Sequence, residues 1–131
     1  MRPVRFGIVA TLKADAAVSA LVGGAVYHAP APTTAALPYV TVAQQPGGRR
    51  EWTYQLQAMR VTLWLVKGLA ADKETSELID EACEAALNDC AMSVAPYRLL
   101  VCRRQTDVAY PERDAGQVLH HSGGIYEIGV S

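Results

Sequence analysis

Apolar residues recur with helical spacing in three segments of the chain. The pattern predicts a short helix over 5–12, with Phe6, Val9 and Leu12 as its apolar positions. A second short helix is predicted over 16–22, with Asp15 as its cap and Gly23-Gly24 as its left-handed end. A longer amphipathic helix is predicted over 73–89, with Asp72 as its cap. Its buried stripe is predicted to consist of Leu78, Ile79, Ala82, Cys83, Ala86, Leu87 and Cys90.

Alternation of apolar and polar residues predicts strands in the remaining segments. Three candidate strands cover 37–43, 97–110 and 117–130, the last interrupted at Gly123-Gly124. Turns are predicted over 46–50 and 111–116, where glycine or proline accumulates.

The longest candidate strand, over 52–66, changes phase midway. Its first half places Trp52 and Tyr54 on one face, whereas its second half places Val61 and Leu63 on the other. Either a bulge near Ala58 or a hairpin arm built from the first half accounts for this change, and we favour the arm.

The order of these elements is α(α)ββαββ. Paired strands with segregated helices predict an α+β fold, in which helices pack on one face of an antiparallel sheet of about four strands. A chain of 131 residues is long enough for a single domain over 1–131. A connector rich in alanine, proline and threonine links the second helix to the first strand and contains no candidate catalytic group.

Composition excludes several classes of protein. Half of the residues are hydrophobic and 19% are charged, as in ordinary globular proteins, and no apolar run is long enough to span a membrane. The three cysteines have no metal-binding spacing and are predicted to be reduced.

Charge is distributed unevenly although the net charge is −1. Residues 1–66 carry six Lys and Arg against two Asp and Glu, whereas 67–131 carry six against eleven. Such polarity suits head-to-tail self-association. The alternative interpretation is that the acids are the solvated face of one helix.

Candidate chemistry is sparse, and the chain is predicted not to be an enzyme. His120 and His121 are adjacent in a strand, so their side chains point to opposite faces and cannot chelate one metal ion. His28 is isolated, and no nucleotide-binding or nucleophile motif is present. No catalytic residue, metal ligand or cofactor is therefore predicted.

Two basic pairs raise the question of nucleic-acid binding. Arg49-Arg50 precede Trp52 and Tyr54, and Arg103-Arg104 lie in a strand. The near-neutral net charge disfavours a dedicated nucleic-acid-binding domain. Arg103 and Arg104 are adjacent in a strand and point to opposite faces, so at most one of them can join a basic patch on a given face.

The sequence resembles the tail-completion, or tail terminator, proteins of long-tailed, non-contractile phages and related particles. The resemblance rests on "LKADAAVSALVGGAVYHAPAP", "LPYVTV", "VTLWLVKG", "KETSELIDEACEAALND", "YRLLVCRRQT" and "GGIYEIGVS", in this order over nearly the whole chain. The loop after "VY" and the turn at 111–116 depart from the family pattern.

The resemblance implies a structural role in the virion. It implies a homo-hexameric ring, assembled in the host bacterial cytoplasm, that caps the head-proximal end of the tail tube at the tail–neck junction. The ring would contact the major tail tube protein and the head-completion protein, and DNA would pass without being read. Two alternatives remain: another neck component, such as a head–tail connector or head-closure protein, or a small ligand-binding domain or enzyme.

Two candidate interaction surfaces follow from this interpretation. The connector is expected to reach a neighbouring subunit through Tyr27, His28, Pro30 and Pro32. Its alternative is a solvent-facing link. The second surface is expected to bind the tail tube or line the channel, and it consists of Gly47, Gly48, Arg49, Arg50, Trp52 and Tyr54. Its alternative is a mobile hairpin end with Trp52 in the core.

Overall fold

Three helices and five strands make up the part of the chain that the structure describes. The structure, a computed structural model, describes the backbone of residues 1–52 and 58–131 and the side chains of 1–50 and 58–131. The elements are α1 (Arg2–Ala14), α2 (Ala16–Val22), β1 (Val26–His28), β2 (Tyr39–Trp52), β3 (Ala58–Ala70), α3 (Lys73–Leu87), β4 (Leu99–Asp114) and β5 (Gln117–Val130).

The strands form one sheet in the order β1-β2-β3-β5-β4. The pairs β2–β3, β3–β5 and β4–β5 are antiparallel, whereas β1 runs parallel to β2. The predicted α+β class is confirmed. The prediction of about four antiparallel strands is wrong, because β1 adds a fifth strand in parallel orientation.

The parallel strand β1 explains the long connector. Val26 pairs with Val40 and His28 with Val42, so the chain must return from the end of β1 to the start of β2. Parallel neighbours always require such a crossover, whereas antiparallel neighbours can be joined by a tight turn. Tyr27 and His28 therefore lie in a strand, and the connector proper covers 29–38.

The helix ends follow the predicted capping chemistry. The Asp15 side chain accepts a 3.0 Å hydrogen bond from the Val18 amide, and Gly23 ends α2 with φ 62°. Asp72 accepts a 2.9 Å bond from the Thr75 amide at the start of α3. This helix ends at Leu87, two residues before the predicted end.

The predicted turn at 46–50 is wrong, because β2 continues through it. Gly47 and Gly48 adopt φ 97° and 109° where the register with β3 shifts. A Cβ on Gly48 would lie 2.6 Å from the Val61 carbonyl oxygen, so only glycine fits this close approach. The glycine pair forms a bulge inside the strand.

The segment 52–66 is not one strand. Trp52 ends β2 and pairs with Ala58, the first residue of β3, so Ala58 is no bulge. The two strands pair in antiparallel orientation, and the favoured arm, built from the first half of 52–66, stays a prediction. Residues 53–57 lie outside the described residues.

The β4–β5 hairpin is longer than predicted. β4 continues through Pro111 to Asp114, and the turn is limited to Ala115 and Gly116, with φ 50° and 82°. Two consecutive positive φ values are typical of the tight turn that joins twisted antiparallel strands. Pro111 is tolerated because β4 is an edge strand. β5 continues through Gly123-Gly124, where an interruption was predicted.

The core lies between the helices and one face of the sheet. Its largest fully buried side chains include Trp64, Tyr126, Ile8, Leu12, Ile79, Leu87 and Ile128. Helix α1 contacts β1 and β2, whereas α3 contacts β3 and β5, so the two helices cover different halves of one face.

Candidate functional site

The candidate catalytic residues do not converge. His121 is buried whereas its neighbour His120 is partly exposed, as expected for adjacent residues of a strand. Across residues 1–52 and 58–131, no group of three or more His, Cys, Asp or Glu could hold a metal ion. The described side chains therefore offer no assembled metal site.

His121 packs against aromatic and charged neighbours at one end of the sheet. Its ring stacks on Tyr110 with the centroids 4.4 Å apart, and Lys67 Nζ donates a 2.7 Å hydrogen bond to the Tyr110 hydroxyl. Glu112 Oε2 lies 3.4 Å from Nε2, but neither ring nitrogen has a hydrogen-bond partner in the described part of the chain. Burial and nearby Lys67 lower the pKa of His121, and Glu112 opposes the shift only partly. His121 is thus a neutral packing residue near neutral pH.

Arg104 organises the contact between α3 and the sheet. Its side chain is only 9% exposed and donates two hydrogen bonds, of 2.7 and 2.9 Å, to the Asp80 carboxylate. It also donates to Asp107 at 2.8 Å and to the Gly123 carbonyl at 2.7 Å. The bond to Asp80 raises the pKa of Arg104 above its already high value. The Arg104 guanidinium therefore stabilises the fold by linking α3 to the sheet.

Arg103 faces the opposite side of β4, where it and Arg49 contact the buried carboxylate of Glu127. Glu127 is 5% exposed, and its carboxylate lies 3.1 Å from Arg49 and 3.6 Å from Arg103. The predicted opposite orientation of Arg103 and Arg104 is confirmed. Arg49 therefore neutralises Glu127 on the sheet face that the helices leave open.

The predicted surface around Gly47 is only partly described. Gly47 and Gly48 form the bulge, Arg49 contacts Glu127, and Arg50 is exposed on β2. The Trp52 side chain and all of Tyr54 lie outside the described residues. The described positions lie on consecutive residues of one strand at the end of the β2–β3 hairpin.

The predicted subunit-interface residues line a groove beside α1. Tyr27, His28, Pro30 and Pro32 face Phe6 and Lys13 across a groove of about 410 Å³. The Tyr27 ring packs edge-to-face on Tyr39, with centroids 5.8 Å apart. The structure thus places two residues of β1 and two of the connector around one groove.

Phe6 separates this groove from a second one, and sequence reasoning missed its role. The periodicity predicted Phe6 on the apolar stripe of α1, but it is 50% exposed. The second groove, of about 530 Å³, runs between α1 and residues 93–96. The two arginines that precede Phe6, Arg2 and Arg5, were the available signal for a surface position.

The sequence profile of the tail completion protein gp17 family matches residues 7–123. The chain belongs to this family of structural phage tail proteins, and the predicted resemblance is confirmed. Membership favours a structural role over catalysis.

A solved structure shares the fold over almost the entire chain. A chain in the structure titled "Virion of native gene transfer agent (GTA) particle" matches with a TM-score of 0.78 and 22% identity. The match covers 97% of this chain and 93% of that chain. No curated protein sequence is significantly similar to this one. Among the described residues, no helix has the length and apolar content needed to cross a membrane.

Proposed function

We propose that this protein is a tail terminator, a ring-forming subunit that caps the head-proximal end of the tail tube. In this role the ring stops polymerisation of the tube protein and offers a docking face to the head-completion protein. It assembles in the host bacterial cytoplasm and stays in the virion at the tail–neck junction.

Family membership carries this proposal. The matched residues 7–123 include the C-terminal part of α1, every element from α2 to β4 and the first half of β5, so the similarity concerns most of the architecture rather than one motif. The fold match adds support, because the similar chain is part of a phage-like virion and its length is almost entirely covered. A subunit with these properties completes a tail by occupying its end.

The two predicted surfaces take separate roles in this proposal. The groove at Tyr27, His28, Pro30 and Pro32 faces a neighbouring subunit, and the end of the β2–β3 hairpin faces the tail tube or the channel. DNA passes through the ring without sequence-specific contact. The pairing of Arg49 and Arg103 with Glu127 supports this, since it reduces the positive charge available to phosphates.

Tail length in particles that lack the protein tests the proposal. We expect tubes of uncontrolled, excessive length that do not join heads, measured by negative-stain electron microscopy. Tails of normal length that remain separate from filled heads would instead identify a head–tail connector or head-closure protein. Normal infectious particles would refute any essential role in tail completion and favour the ligand-binding alternative.

The hairpin surface has its own test. Arg50→Glu reverses one exposed charge on β2 without touching the Glu127 ion pairs, and Arg113→Glu makes the same change on the β4–β5 hairpin as a control. We expect tail assembly to fall only for Arg50→Glu. Unchanged assembly would remove this surface as a contact.

A further inference from the structure

Helix α1 presents positive charge that no acid in the described chain balances. It carries Arg2, Arg5 and Lys13 and no acidic residue. The guanidinium groups of Arg2 and Arg5 each lie 5.2 Å from the centre of the Phe6 ring, and neither makes an ion pair with a described residue. The Arg5 Nε atom is buried without a hydrogen-bond partner in the described chain. Basic groups around a half-exposed aromatic ring are typical of protein interfaces.

Helix α3 presents the complementary surface. Glu74, Glu77, Leu78 and Glu81 lie on its exposed side, and Leu78 is 45% exposed where the sequence predicted burial. Among the acids of α3, Arg104 pairs with Asp80 and Glu84, which lie closer to the sheet.

These outer acids have little internal compensation. Lys73 lies 3.8 Å from Glu77, and their side chains are 76% and 51% exposed, so such a pair contributes little. Glu74 and Glu81 make no ion pair with any described residue. The outer side of α3 is therefore an acidic surface with one apolar side chain at its centre.

The positions of the two helices suit a head-to-tail contact. Helix α1 covers the half of the sheet that ends at β1, and α3 covers the half towards β4. Their lengths also match, at about 20 Å and about 22 Å for 13 and 15 residues. Two different surfaces of one layer generate a ring when each subunit uses both and the rotation between neighbouring subunits closes.

We propose that α1 of one copy binds α3 of the next copy in the ring. In this contact the basic residues of α1 (Arg2, Arg5 and Lys13) face the outer acids of α3 (Glu74, Glu77 and Glu81). Leu78 enters the groove that Phe6 and His28 line. A second copy is the occupant because one chain carries both complementary surfaces, each with an exposed apolar side chain. The inference rests on the proposed function, since it names the subunit interface of that ring.

Cross-linking in assembled tails tests the contact directly. Differently tagged Phe6→Cys and Leu78→Cys copies are expressed together with the other particle proteins, so that an inter-subunit disulfide gives a heterodimer on a non-reducing gel. We expect this heterodimer in mixed tails and not in tails built from either variant alone. Arg113→Cys paired with Leu78→Cys is the matched control, because Arg113 lies outside both surfaces. Tails that contain both variants but no heterodimer would overturn the proposal.

A charge exchange tests it without cysteines. Arg2→Glu with Lys13→Glu, or Glu77→Lys with Glu81→Lys, should reduce incorporation into tails roughly tenfold or more, because like charges then face each other. Combining the four changes in one chain should restore incorporation. Circular dichroism must show that each variant is folded. Equal incorporation of all variants, or no rescue in the combination, would contradict the contact.

The outcomes separate this inference from the proposed function. Suppose that mixed tails give the heterodimer, but particles that lack the protein have tails of normal length. This combination would support the contact and refute the terminator role. Overlong tails without the protein, combined with failed cross-linking and failed rescue, would support the terminator role and refute the α1–α3 contact.

Discussion

Replacing Arg104 with methionine should destabilise the fold far more than the same change at its neighbour. Arg104→Met removes the guanidinium but keeps most of the side-chain length, so the comparison concerns charge and hydrogen bonds rather than a cavity. The change leaves the Asp80 carboxylate, 17% exposed, without its bidentate partner. It also removes the donor to the Gly123 carbonyl.

The magnitude follows from the burial of both partners. Removing one member of a buried ion pair costs about 3–5 kcal/mol, because the other charge stays in a poorly solvated site. Asp80 keeps some access to water, so we expect the lower end, about 3 kcal/mol. For a domain of this size that loss lowers the melting temperature by roughly 9–15 °C.

Arg103→Met is the matched control on the same strand. Its side chain is 62% exposed, and Glu127 keeps Arg49 as a partner when Arg103 is removed. We expect a loss below about 1 kcal/mol, as for other exposed ion pairs. Urea unfolding followed by circular dichroism gives both free energies of unfolding. An Arg104→Met loss equal to or smaller than that of Arg103→Met would refute the reasoning.

Three further changes test burial in other parts of the molecule. Ile79→Ala should cost about 2–5 kcal/mol of unfolding free energy because Ile79 is fully buried, whereas exposed Leu78→Ala should cost under about 0.5 kcal/mol; urea unfolding distinguishes them. Burial raises the pKa of Cys83 to about 12, so iodoacetamide at pH 8 should label partly exposed Cys90 first in the native protein, as measured by mass spectrometry. Burial lowers the pKa of His121 below 6.5, so at mildly acidic pH the unfolded chain binds a proton that the folded chain does not bind. The free energy of unfolding should therefore fall as the pH drops below 6.5, and it should fall less in His121→Phe.

Local signals in the sequence were sufficient for the helices and most strands. Asp15, Gly23 and Asp72 act on their own neighbours, so their capping roles could be predicted without the tertiary structure. Strand β1 could not be predicted in this way, because its three residues form a strand only by pairing with β2. Gly47-Gly48 locally resembles a turn, but pairing of the flanking residues with β3 makes it a bulge.

The two main errors in the predicted burial have a common cause. Helical periodicity placed Phe6 and Leu78 on apolar stripes, yet they are 50% and 45% exposed. Periodicity shows which side of a helix is apolar but not how far the sheet beneath it extends. Both residues lie at the margin of the contact with the sheet, beside charged residues. An apolar stripe wider than the core is the sequence feature that marks the proposed interface.

The length of the connector is explained by topology and therefore gives no support to an interface. Residues 29–38 return the chain from β1 to β2, so deleting part of them should disrupt the parallel pairing instead of testing subunit contact. A substitution is the better test. His28→Asp keeps the return and adds a negative charge to the groove that contains Phe6 and Lys13.

An acidic α3 surface should be repelled by this added charge. We expect His28→Asp to fold normally by circular dichroism but to enter tails less efficiently than wild type, with His28→Asn, which is neutral, behaving like wild type. Combining His28→Asp with Glu77→Lys should recover part of the loss, because the repulsion then becomes attraction. Wild-type incorporation of His28→Asp would show that the groove stays open in the assembled ring, and the connector would then be a topological link alone.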